Sequence, residues 1–218
     1  MEQFFTYMDK LIWPALAATC RMLLFSMLLG TLLGFILAII LNVTDSKGLH
    51  PNKPIHFVLD TIVNVIRSFP FIILMVAIIP LTRAIVGTSI GETAAIVPLT
   101  ITAAPFIARV IDNSMKEVNQ QLVEVAHSFG ASNMQIIFRV ILVEAVPSIV
   151  SGLTLATVSV LGATAMAGTI GAGGLGAVGL IYGYQNFNDV IMITTVVVLI
   201  IIVQVIQTVG NIAYKKLQ

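Results

Sequence analysis

The chain has 218 residues, 58% of them hydrophobic and 10% charged, with a mean hydropathy of +1.03. Soluble domains carry about 25% charged residues, so this composition excludes an ordinary soluble domain and specifies an integral membrane protein. A formal charge of +1, with no basic run interleaved with aromatics, leaves no footprint for nucleic acid. The only cysteine, Cys20, sits in an apolar segment and offers no disulfide framework.

After a short tail over residues 1–10, the first apolar segment covers about 11–41. At about 1.5 Å per residue it is roughly 46 Å long, more than the roughly 30 Å hydrocarbon core, so it must tilt or protrude. The tail holds two acids and one base, and the small residues Ala15 to Ala18 precede the apolar core, so a cleavable signal peptide is not expected. Gly30-x-x-x-Gly34 reads as a helix-packing seam. Arg21 costs about 2.5–3.5 kcal/mol at the bilayer centre, and an over-long helix lets it snorkel to the near interface in a structural role.

A polar loop with Lys47, Pro51, Lys53 and Pro54 leads to a second segment, about 58–81. Its first third carries Asp60, Asn64 and Arg67 on one helical face. Lipid does not tolerate such a face, so it should meet protein or water. An internal ion pair or headgroup contact is the plain expectation, and contact with an ATPase or a gate the alternative. The third segment, about 90–111, is interrupted by Pro98 and Pro105, which free backbone carbonyls that neighbours or a cavity must satisfy.

Glu117 to Pro147 is the longest soluble-looking stretch. Val118, Leu122, Val125 and Phe129 recur at helical spacing, Gly130 is placed to end that helix in a left-handed turn, and Ser132 with Gln135 forms a capping box that starts another. Two short helices, each with an apolar and a wet face, are expected over 117–138.

In the fourth segment, about 140–167, Ser148, Gly152, Ser159 and Gly162 share one face suited to close helix contact. Thr154, Thr157 and Thr164 share roughly the opposite face, where they bond their own backbone or line a solute path or a subunit interface. Residues 168–188 hold seven glycines and no charge, which predicts a re-entrant or surface loop. Within it Gly171, Gly173 and Gly176 fit G-x-G-x-x-G, but no strand precedes them, so dinucleotide binding is rejected. Met166, two residues before this stretch, is a candidate gate, since its flexible thioether can seal against a copy of itself. The fifth segment runs over about 190–213 and residues 214–218 close the chain.

Five spans put the two ends on opposite sides. With 117–147 inside, the cytoplasm holds Lys47, Lys53, Arg67, Arg109, Lys116, Arg139, Lys215 and Lys216, and the outside keeps Lys10 and Arg83 with Arg21 near that face. The positive-inside rule places the N-terminus out and the C-terminus in.

The blocks RSFPFIILMVAIIP (67–80), TRAIVGTSIGETAAIVPLTITAAPFIARV (82–110) and MAGTIGAGGLGAVGLIYGYQ (166–185), with Glu124, Ala126 and Gly130 standing as in an EAA-then-Gly signature, closely resemble the permease subunit of the methionine-uptake ABC importers. The likeness covers nearly the whole chain. It departs at Val125, where the signature has a second Ala, and at Leu142-Val143, where Leu-Pro is usual, although Pro147 remains. The resemblance implies an all-α integral membrane fold of the type I ABC importer permease class, over about 11–213 of a bacterial cell membrane protein, with five transmembrane helices and a cytoplasmic coupling-helix loop.

It also implies a homodimer with the pathway between protomers, two separate ATPase subunits docked on Glu124, Ala126, Gly130, Ser132 and Gln135, and an outside substrate-binding lipoprotein. The cargo it implies is methionine, the L form and with it the D form, with a methionine-containing dipeptide or another small apolar amino acid as the alternative. No G-x-x-x-x-G-K-[ST] loop is present, so ATP and Mg are expected on the partner, and the chain is expected to be no enzyme and to hold no cofactor or metal. A self-sufficient secondary transporter or channel is the rival reading, resting on the Asp60, Asn64 and Arg67 face and the proline-broken third segment.

Overall fold

The computed structural model describes residues 7–217, and among them every regular element is a helix. The tail expected over 1–10 lies mostly outside these residues, and its last part is already helical. α1, Met8–Thr44, has 37 residues and opens with a widened π turn, Met8–Ile12, just ahead of Pro14, which has no N–H to continue the ordinary ladder. It ends where the Thr44 hydroxyl turns back to the Ile40 carbonyl, 2.6 Å away, and Asp45 becomes extended.

The segment expected as one span over 58–81 is instead three helices. α2, Lys53–Ser68, starts on the Asn52 side chain, which accepts from the Ile55 N–H. It stops because Phe69 precedes Pro70 and is held extended, at φ −77° and ψ 132°. α3, Phe71–Ala77, leaves at 107° to α2, and α4, Ile79–Val86, begins on Pro80 and ends at the left-handed Gly87.

α5, Glu92–Lys116, is the expected third span, but Pro98 and Pro105 do not break it. It is the most buried of the long helices, and both prolines are buried with it, so their freed carbonyls meet protein rather than lipid. α1 runs parallel to α5 along a seam of small residues: a Cβ added at Gly30 would stand 2.8 Å from the Ala103 Cβ, and one at Gly34 2.7 Å from the Ala104 carbonyl.

α6, Gln120–Ser128, is followed by the 40-residue α7, Asn133–Ala172. The glycine-rich stretch is no surface loop. Beyond a break at Gly171 to Gly173 it is the short helix α8, Gly174–Ala177, continued by the wide turns of Val178–Gln185. Its start is buried against α1, where Thr19 Oγ1 accepts from the Leu175 N–H at 2.9 Å. Glycine is needed at Gly176, since a Cβ there would fall inside the Ala165 backbone. α9, Asp189–Leu217, is apolar nearly all round and mostly exposed, the pattern of a lipid-facing span. Four helices are long and apolar enough to cross a bilayer, and the bent α2–α3 pair makes a fifth span.

Candidate coupling site and intramembrane polar face

The link from α5 to α7 follows local chemistry. Asn119 caps α6 by accepting from the Gln121 N–H at 2.9 Å. Gly130 has φ 77°, its N–H donates to the His127 carbonyl, and the Ala131 N–H reaches the Ala126 carbonyl, which together make a Schellman turn. Ser132 and Gln135 then close a reciprocal capping box. Nothing lies within 4 Å of a Cβ built on Gly130, so only its backbone conformation demands glycine.

The buried side of this pair is not the stripe that sequence spacing suggests. Val118 and Val123 are buried and Ala126 packs against the same cluster, with Ile136 and Ile137 of α7. Leu122, Val125 and Phe129 point outward, with Phe129 87% exposed. α6 is apolar on two adjacent faces, and spacing alone cannot tell which one the protein covers. Glu124 is exposed, and no hydrogen bond or ion pair engages its carboxylate among the described residues. It lines an open cleft of about 640 Å³ with Asp45, Lys47, Lys116 and Gln120.

That cleft is floored by a charge ladder that patterning of single helices does not reveal. Lys116, the last residue of α5, lies 2.9 Å from Asp45 and 3.0 Å from Asp112. Asp112 is fully buried, Arg109 lies 3.5 Å from it, and its Oδ1 has no partner among the described residues. Arg109 continues the ladder to Asp60 on α2 and donates to the Asn64 side-chain oxygen Oδ1 at 3.1 Å. The Lys116 ammonium holds the Asp45 carboxyl down at about 2, helped by the Lys47 N–H and the Ser46 hydroxyl and opposed by partial burial. His50 in the α1–α2 loop meets Asn133 at the start of α7, 2.9 Å away, so this loop grips both ends of the coupling segment.

The internal ion pair expected on α2 is therefore real, but Arg109 makes it. Arg67 is exposed and stacks over Phe106, 5.9 Å from the ring centroid, with no carboxylate partner among the described residues. Arg21 does not simply snorkel: its guanidinium forks onto both Glu92 carboxylate oxygens, at 2.8 and 2.9 Å, at the start of α5.

The three threonines of α7 spend their hydroxyls on their own helix, at the carbonyls of Val150, Leu153 and Leu161. Thr154 faces Gly210 of α9, Thr157 lines an apolar groove between α1 and α9, and Thr164 is buried, so no common cavity unites them. On the other face Ser148 takes part in a chain from Ser114 to Glu117, and Gly152 admits Val110 of α5, as a contact face should. Met166 is half exposed at the far end of α7, away from the coupling segment.

Residues 30–218 match the model of the binding-protein-dependent transport system inner membrane component. The chain belongs to that family. This permease is 46% identical, over its whole length and 96% of the other chain, to the probable D-methionine transport system permease protein MetI of Vibrio cholerae serotype O1. It is 38% identical to the methionine import system permease protein MetP of Bacillus subtilis strain 168, over 79% of this chain and 78% of that one. A chain of the MetNI methionine ABC transporter, solved in inward-facing conformations, superposes with a TM-score of 0.94 at 41% identity, covering 97% of the permease and 98% of that chain. An amino acid ABC transporter solved with histidines shares the fold, with a TM-score of 0.77 at 20% identity over 93% and 92% of the two chains. The permease is thus an all-helical, multi-pass membrane subunit of the ABC importer class.

Proposed function

We propose that two copies of this permease form the pathway of an ATP-driven methionine importer, and that the segment 117–138 docks on a separate ATPase subunit beneath each copy. The observation that carries this reading is the exposed apolar row Leu122, Val125 and Phe129 on a helix capped at both ends, beside the unengaged Glu124. A polar end of a membrane protein has no lipid to cover such a row, so a protein partner is its natural cover. Ala126, Ser132 and Gln135 hold the segment's shape, while Glu124 faces the partner.

ATP and Mg belong to the ATPase, since this chain has no phosphate-cradling loop. Closure of two ATPases on ATP would carry the paired helices with it. Because Lys116 and Asn133 tie them to the α1–α2 loop, the spans move as packed bodies. The end carrying the segment also carries Lys47, Lys53, Lys116, Arg139, Lys215 and Lys216, which supports a cytoplasmic placement with the N-terminus outside. Met166 at the other end is the gate of this reading, and a lipoprotein delivering methionine would dock there.

The test is Gly130→Val in the complex reconstituted in liposomes. A β-branched residue at φ 77° strains the turn without any clash, whereas aspartate tolerates that conformation better. ATPase association or methionine uptake per ATP should fall severalfold with the permease still folded. Normal values for both would remove the segment from the coupling role.

A further inference from the structure

Arg67 poses a problem of depth. Its guanidinium stacks on Phe106, the fifteenth residue of the 25-residue α5. At about 1.5 Å per residue that position lies roughly 21 Å from one end of α5 and 15 Å from the other, near the middle of the span. The side chain is exposed, and among the described residues no carboxylate neutralises it, because Asp60 is taken by Arg109. A bare cation at mid-depth is costly against hydrocarbon, which favours a water-lined path over lipid for this face of α2.

The same spot is where α2 breaks. Phe69 is extended and Pro70 has no N–H, so carbonyls of the last turn of α2 lose their helical donors beside the guanidinium. Two acceptors there are already used, the Asn64 backbone carbonyl, which takes the Ser68 hydroxyl, and the Ile66 carbonyl, which takes the Phe69 N–H at 3.3 Å. A cation flanked by free carbonyls at a broken helix matches a zwitterion: a carboxylate for Arg67 and an ammonium for the carbonyls. Phe106 and the half-exposed Phe69 supply apolar surface beside both.

We infer that Arg67, with the broken end of α2 at Ser68 to Pro70, forms a contact point for the carboxylate and ammonium of an amino-acid cargo passing through the permease. This rests on the importer reading above. It adds a cargo-contacting residue within the membrane to the selection made outside it.

The test uses the assembled transporter in liposomes, with Cys20→Ser as background. Arg67→Cys should be modified by a membrane-impermeant anionic thiosulfonate, and turnover with ATP and L-methionine should slow that modification severalfold. Arg67→Gln should assemble in normal yield yet lower L-methionine uptake by about tenfold or more, with Arg67→Lys retaining part of it. An unreactive thiol would place residue 67 against lipid or the second copy and overturn the inference. A reactive thiol without protection by methionine, or full uptake by Arg67→Gln, would overturn it as well. Failure of the unsubstituted transporter to take up methionine would instead strike the importer reading.

Discussion

Asp112 shows how a single side chain can be expensive and still be kept. Its carboxylate is fully buried, its two cations stand on its own helix, and each cation is shared with a carboxylate from another element. Removing one partner of such a set leaves charge uncompensated, so Asp112→Ala should destabilise the permease by about 3 kcal/mol, measured by thermal unfolding in detergent. A change within error would mean that Arg109 and Lys116 are satisfied by Asp60 and Asp45 alone. Asp45 makes a pH-dependent contribution of known sign. Its folded pKa is lowered to about 2 from an ordinary 3.8, so the stabilisation is complete above the ordinary value and is lost as pH falls from about 4 through 2. Unfolding followed across that window should lose its Asp45-dependent slope in Asp45→Asn.

At the scale of elements, what the sequence discloses depends on how local the cause is. The Schellman turn at Gly130, the Ser132 capping box and the Gly30–Gly34 seam rest on residues a few positions apart, and each stands where spacing puts it. The break of α2 at Pro70 was equally local but was masked by the hydrophobicity of 69–81, which reads as one span when only composition is weighed. The glycine-rich α8 departs from the surface-loop alternative for a different reason. Glycine lowers helix propensity, yet here it lets one backbone approach another closely enough for packing to repay the cost. The seam also predicts a failure mode: Gly34→Leu must part α1 from α5, because its Cβ would meet the Ala104 carbonyl at 2.7 Å and Ile107 at 3.0 Å. Overpacking of this kind should cost about 1–3 kcal/mol and lower the melting temperature, while Ser26→Ala in the same helix should change it little.

Across the whole molecule, function follows from where polarity is concentrated. One end gathers the charge ladder, the α1–α2 loop and the capped helices around the 640 Å³ cleft, whereas the other end closes on glycine, alanine and the apolar group of Ile12, Leu175, Val178 and Ile191. The ladder was invisible in the sequence because its members lie on three elements, and pairing Asp60 with Arg109 instead of Arg67 requires knowing that α2 lies against α5. The outward turn of Leu122, Val125 and Phe129 was hidden in the same way, since only tertiary packing decides which apolar face of α6 is covered. That row is the central claim. The measurement that tests it most directly is the affinity of the ATPase for the permease bearing Val125→Ser and Phe129→Ser, two exposed positions whose change leaves the core intact. Burying side chains of this size contributes about 1.5–3 kcal/mol each, so association should weaken by at least about tenfold with the melting temperature unchanged. Unaltered association would contradict the account.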